Sequence, residues 1–263
     1  MKNDEIRDAN RRALPKFLLL MAALLFIGFV GGFLASWYGL NALAGAMKDA
    51  GAFFGMYIAP WLMAAMALIM PAVCIPLYRG AKKRIGSWDG EDEALYGTID
   101  RRLSAAIWAS NAILILTYFL LAASYSCGFA IFESTKMLVL FFIAVAALFA
   151  VVIETVIIGQ KCVDATKLLN PEKKGSFYDI KFQKKWIDSC DEAEKLLIGR
   201  CAFKAYAATN KACALLAGAL AICALLFNTG FLPSLAVCLI WCVNQSVYYR
   251  EAMRYSRAGN TLS

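Results

Sequence analysis

The sequence predicts an all-α integral membrane protein with six transmembrane helices, two of them extended into cytoplasmic helical stalks. Three observations predict it. Of the 263 residues, 61% are hydrophobic, against about 45–50% in a soluble domain, and mean hydropathy is +0.60. The apolar residues are gathered into runs of about 17–25 residues, the length that crosses a bilayer as a helix. Lys and Arg, which give a net charge of +8, fall almost entirely on one side of those runs.

The elements follow in order. Residues 1–16 are polar, with Arg11, Arg12 and Lys16 beside the first apolar run, like the n-region of a signal peptide. The run from Phe17 to Leu40 is too long for a signal and has no small-residue cleavage site, so it reads as an uncleaved first span. Gly28 and Gly32 in it are either loose glycine sequence or a close-packing pair. The second run, Phe53 to Tyr78, carries Pro60, Pro71 and Pro76, each of which removes a backbone donor. It is expected to be kinked, or broken as in some transporters. Runs three and four (Asn111–Phe129, Met137–Gly159) and five and six (Ala212–Asn228, Phe231–Tyr249) are joined by very short links, so each pair is a helical hairpin.

Charge sets the orientation. The N-terminal segment, 79–102, 161–211 and the tail from 250 hold 5, 6, 11 and 3 Lys/Arg, whereas the opposite links hold only Lys48 and Lys136. That bias places both termini and both long loops in the cytoplasm. Trp37, Tyr38, Tyr57 and Trp61 read as an aromatic belt at the outer interface. The basic surplus is thereby read as loops facing anionic lipid, and no nucleic acid is expected as a partner.

Part of the chain reads as duplicated. Residues 92–111 and 191–210 align without a gap at an offset of 191 − 92 = 99, with eight of twenty positions identical. The matches include Asp92/Asp191, Arg101/Arg200 and Asn111/Asn210, and each copy runs into a hairpin. The divisions expected are 1–87 (N-terminal segment and divergent hairpin), 88–160 (stalk and second hairpin), 161–250 (insertion, stalk and third hairpin) and 251–263 (tail). The second stalk is expected to start near Asp179 and run unbroken to Asn228, with Phe182, Trp186, Cys190 and Leu197 on one apolar face. Lys184/Asp188 and Asp191/Lys195 are spaced as ion pairs on it. That face packs within the chain, on a second copy in a homo-oligomer, or on a cytoplasmic regulator or transporter subunit.

Five polar residues fall near the cytoplasmic ends of the spans: Asn111, Glu154, Asn210, Asn244 and Gln245. They are either interfacial groups bonded between helices or the lining of a cavity with Glu154 as its charge. Either Lys211 or Arg200 is its candidate partner, and the sequence does not choose between them. No catalytic pattern is present: the chain has no His, no C-x-x-C pair among its nine Cys, no phosphate-binding loop and no nucleophile elbow. No cofactor, metal site or enzymatic activity is therefore expected.

The block NPEKKGSFYDIKFQKKWIDSCDEAEKLLIGRCAFKAYAATN, residues 170–210, resembles the hallmark of a family of multi-pass membrane proteins from mostly Gram-positive bacteria, known only as a domain of unknown function. The resemblance implies a bacterial cytoplasmic-membrane location and brings no activity with it. The functional expectation is a non-enzymatic membrane component whose stalks dock a partner. The alternative is a small permease using the polar layer around Glu154.

Overall fold

The computed structural model describes isolated positions between 14 and 33, and residues 41–126, 128, 134–227 and 229–257. The expected first span as a continuous element lies outside these, as do Gly28, Gly32, Trp37 and Tyr38. The described residues form helices and no strand: α1 (Asn41–Phe53), a π-turn (Phe54–Ile58), α2 (Ala59–Ile85), α3 (Glu93–Tyr125), α4 (Thr135–Leu169), α5 (Phe182–Asp188), α6 (Glu192–Phe227) and α7 (Leu232–Arg257). Among them, five helical segments are long and apolar enough to cross a membrane: Lys48–Ile85, Glu93–Tyr125, Thr135–Leu169, Glu192–Ala224 and Leu232–Arg254. The chain divides into two compact units, Met47–Leu197 and Met1–Ala46 with Ile198–Ser263.

In the larger unit, α2 is not broken at its inner prolines. It continues through Pro71 and Pro76, and the irregularity lies earlier, in the π-turn just before Pro60. Proline has no N–H to give to the turn behind it, so a locally widened hydrogen-bond ladder is tolerated there. The π-turn also brings Gly55 against α3. A β-carbon on Gly55 would meet the Ala123 carbonyl oxygen at 2.1 Å, so only glycine fits. Tyr57 and Trp61 of the expected aromatic belt are both exposed beside it.

Helices α2, α3 and α4 share one core. Met70, Cys74 and Ala81 of α2, Ile99, Leu103 and Ala106 of α3, and Val151, Ile158 and Cys162 of α4 are buried together. A second cluster joins Ala59 and Met63 to Leu120, Ala144 and Ala147. The alanines let backbones approach, which matters where lipid removes the hydrophobic drive between helices. Buried hydroxyls are satisfied by their own helices: Thr117 Oγ1 donates to the Ile113 carbonyl at 2.8 Å, and Thr155 Oγ1 to that of Val151 at 2.8 Å.

The continuous second stalk is not found. Helix α5 ends at Asp188, and α6 starts anew at Glu192. Asp191 terminates the run because it caps α6: its Oδ1 accepts from the Glu194 N–H at 2.7 Å, and Glu194 Oε2 accepts from the Asp191 N–H at 3.1 Å. Two otherwise orphaned donors are satisfied reciprocally. Of the expected charge pairs, Asp191/Lys195 gives way to Lys195 with Glu192 at 2.9 Å, and Lys184/Asp188 is not among the ion pairs of the described residues, while the neighbouring Lys185 pairs with Asp179.

Candidate functional site

Glu154 lies on α4, one α-helical turn before Ile158 of the core. Burial of Cys74 and Ile158 orients the facing sides of α2 and α4, and a cavity of about 290 Å³ remains between them. Its walls are chiefly apolar, Pro71, Cys74, Ile75 and Ile157 among them, with Tyr78, Arg79, Glu154 and Lys161 as polar members. The Oε2 atom of Glu154 is buried and has no hydrogen-bond partner among the described residues. Arg79 and Lys161 are exposed. The cavity thus joins an unsatisfied acceptor to an apolar chamber, with two cations beside it.

Only Glu154 of the five expected polar-layer residues lines this cavity. Asn111 is exposed on α3. Asn210, Asn244 and Gln245 belong to the smaller unit, as do Arg200 and Lys211. There they bond in pairs: Asn244 Nδ2 donates to Asn210 Oδ1 at 3.1 Å, and the Tyr206 hydroxyl donates to Gln245 Oε1 at 2.6 Å. Tyr206 also stacks on Tyr248, ring centroids 4.4 Å apart. These bonds link α6 to α7 within the smaller unit. The cations beside Glu154 went unread in the sequence, although Lys161 lies seven residues on, two helical turns along the same face.

The docking candidates turn mostly inward. After Leu169 the chain folds back along α4. Gln160 Oε1 accepts from the Ser176 hydroxyl at 2.9 Å and the Phe177 N–H at 2.7 Å. The Phe177 ring covers Gly159, where a β-carbon would meet it at 2.9 Å. Phe182 packs on Phe177 and Trp186 on Phe182 with tilted rings, centroids 5.6 and 5.5 Å apart. Gly175, at φ 130°, makes the turn that seats its α-carbon against Phe182.

At the centre lies Lys173, buried, with its ammonium on the Glu194 carboxylate, 3.3 Å from Cys190 Sγ and 5.9 Å from the Trp186 ring centroid. Burial pulls its pKa down, but the Glu194 carboxylate and the Cys190 thiol outweigh that, and the net shift is upward. Outside the knot, Lys185 and then the Lys181 N–H hold the Asp179 carboxyl below the usual carboxylate range. Cys190 is therefore buried and Phe182 and Trp186 are half-buried, whereas Leu197 is 63% exposed.

The matched positions of the two similar segments share one detail. Asp92 Oδ1 accepts from the Leu95 N–H at 3.0 Å, as Asp191 does from that of Glu194, and 194 − 95 = 99. Arg101 and Arg200 are both exposed. Their packing differs, since Ile99 is fully buried and Ile198 is 36% exposed. Among the described residues no cluster of three or more Cys, Asp or Glu is placed to hold a metal ion. Comparison with protein-family models, curated proteins and solved structures finds no match.

Proposed function

We propose that this protein is a small permease that works through the α2–α4 cavity, with Glu154 as its coupling carboxylate. The observation that carries the reading is the buried, unpartnered Glu154 Oε2 beside an apolar chamber. A buried acceptor without a donor is costly, and an ionisable group inside a span is a functional candidate by default. A proton or an amine nitrogen is the donor that fits, and the apolar walls take the rest of the solute. The solute class is a small amphiphilic amine exchanged against protons. Once Glu154 is protonated, Arg79 and Lys161 repel the cation, which favours release. In this reading six helices cross a bacterial cytoplasmic membrane with both termini inside. The 33 and 36 residues of α3 and α6 support the stalks, being longer than the roughly 20 a span needs. The shared Asp caps support the duplication.

Proteoliposomes with an imposed proton gradient test this. Adding amphiphilic amines should dissipate the gradient with wild type, and Glu154→Gln should abolish the effect while insertion is unchanged. Equal dissipation by both proteins would sink the reading.

Leu196 and Leu197, 58% and 63% exposed at the start of α6, favour a second reading. There the chain is a non-enzymatic component that docks a cytoplasmic regulator or transporter subunit on α6. Pull-down after mild solubilisation should recover that partner and lose it with Leu197→Asp. Recovery unaffected by the substitution removes this alternative.

A further inference from the structure

The fold-back after Leu169 places Phe177 and the turn that follows it, 178–181, beside the end of a membrane span. The apolar run of α4 ends at Gly159, and Gln160 and Lys161 begin the polar sequence. Leu169 lies ten residues further on, about 15 Å along the helix axis. The chain then reverses, so that Phe177 covers Gly159 and Gln160 holds Ser176 and Phe177. Tyr178 and Ile180, next to Phe177, are therefore held at the level where the bilayer gives way to water, whereas Trp186 and Ser189 return to Lys173 and Lys174 beyond the end of α4.

What Tyr178 and Ile180 present there is apolar and unpartnered. Tyr178 is 67% exposed and Ile180 wholly exposed. Ile180 and Lys181 lie in the turn that precedes α5, while Phe182 and Trp186 of α5 pack inward on the Phe177 side. Lys181 and Lys184 flank Ile180 and are exposed, and no ion pair ties them down among the described residues. The neighbouring acids are placed otherwise. Asp179 is engaged by Lys185, and Glu172, Asp188 and Asp191 line an open polar bowl that includes neither Lys181 nor Lys184. An exposed tyrosine and isoleucine edged by lysines at interface depth match an anionic membrane surface, with apolar groups among the headgroups and ammonium groups on phosphates.

We infer that Tyr178 and Ile180 form a wedge that inserts into the adjacent leaflet, fixed by Lys181 and Lys184 on anionic lipid headgroups. The Phe177–Gly159 contact thereby ties the insertion to the membrane as well as to α4. The wedge does not depend on what passes through the Glu154 cavity.

An environment-sensitive fluorescent amino acid at position 180 of the full chain tests this. Ile180 touches nothing inside the fold, so the replacement leaves the structure intact. In nanodiscs rich in phosphatidylglycerol its emission should be blue-shifted, quenched by lipids carrying a nitroxide near the headgroup, and protected from iodide. The same fluorophore at exposed Glu172 should stay iodide-accessible. All-phosphatidylcholine discs should reduce the lipid quenching, as should Lys181→Gln with Lys184→Gln, each lysine lowering the docked-to-undocked ratio roughly 5-fold. Position 180 reporting water as position 172 does would overturn the inference. Protection from both iodide and lipid nitroxide would also overturn it, because a protein would then cover the face. Equal quenching in both lipids would overturn the headgroup assignment.

Discussion

The Phe177 ring lies against Gly159, close enough that a β-carbon there would come within 2.9 Å of it. Gly159→Val should therefore push the insertion off α4. Overpacking costs about 1–3 kcal/mol, enough to raise the undocked population several-fold. Trypsin should cut faster after Lys174 and Lys181, both exposed. Gly97→Ala, where a methyl meets nothing within 4 Å, should leave the cleavage rate unchanged.

The Glu194 carboxylate joins two functions, accepting from the Asp191 N–H at the start of α6 and holding the buried Lys173 ammonium. Glu194→Gln leaves that charge unpaired and should cost about 2–3 kcal/mol of local stability. Hydrogen exchange at residues 172–190 should report it. Because the Lys173 pKa is raised, the pair's contribution is complete below the unfolded lysine value of about 10.4 and is lost as pH rises through the higher folded value. Protection should thus hold level across roughly pH 7 to 9 and fall only above that.

Gly55→Ala drives a methyl into the Ala123 carbonyl across the π-turn and should lower thermal stability in detergent. Gly51→Ala, in open space on α1, should instead gain about 0.5–1 kcal/mol from the better helix former. Opposite shifts from two glycines four residues apart separate close packing from helix propensity.

The Asn210–Asn244 bond joins α6 to α7 inside the smaller unit. Interhelical side-chain bonds in membranes couple weakly, by about 0.6 kcal/mol on average. A double-mutant cycle of Asn210→Val and Asn244→Val should return a coupling of that size. A coupling of several kcal/mol would mean that the pair does more than link helices.

Much of the helical framework was legible because it rests on composition. Runs two to six are where long apolar helices lie, and hairpin links are short enough to read directly. The break between α5 and α6 was also legible, since Asp191 and Glu194 form an Asp-x-x-Glu capping pattern, but the apolar periodicity from Phe182 to Leu197 overrode it. Periodicity recurs across a break whenever both pieces bury a face. The fold-back was not legible. It depends on a glycine on α4 meeting a phenylalanine eighteen residues later, and nothing local to either residue announces that. Glu154 stood out as the one carboxylate within the apolar runs. Its cavity did not, because Cys74 and Tyr78 come from a helix whose facing side only packing defines.

Labelling by an apolar carbodiimide, mapped by mass spectrometry, tests the central claim most directly. Such a reagent reaches a carboxyl that is protonated and open to an apolar chamber. The account predicts that Glu154 is modified ahead of every other carboxyl, that Glu154→Gln removes the label, and that a transported amphiphilic amine protects against it. A Glu154 that stays unmodified, or is modified at the same rate whatever amine is present, would contradict it.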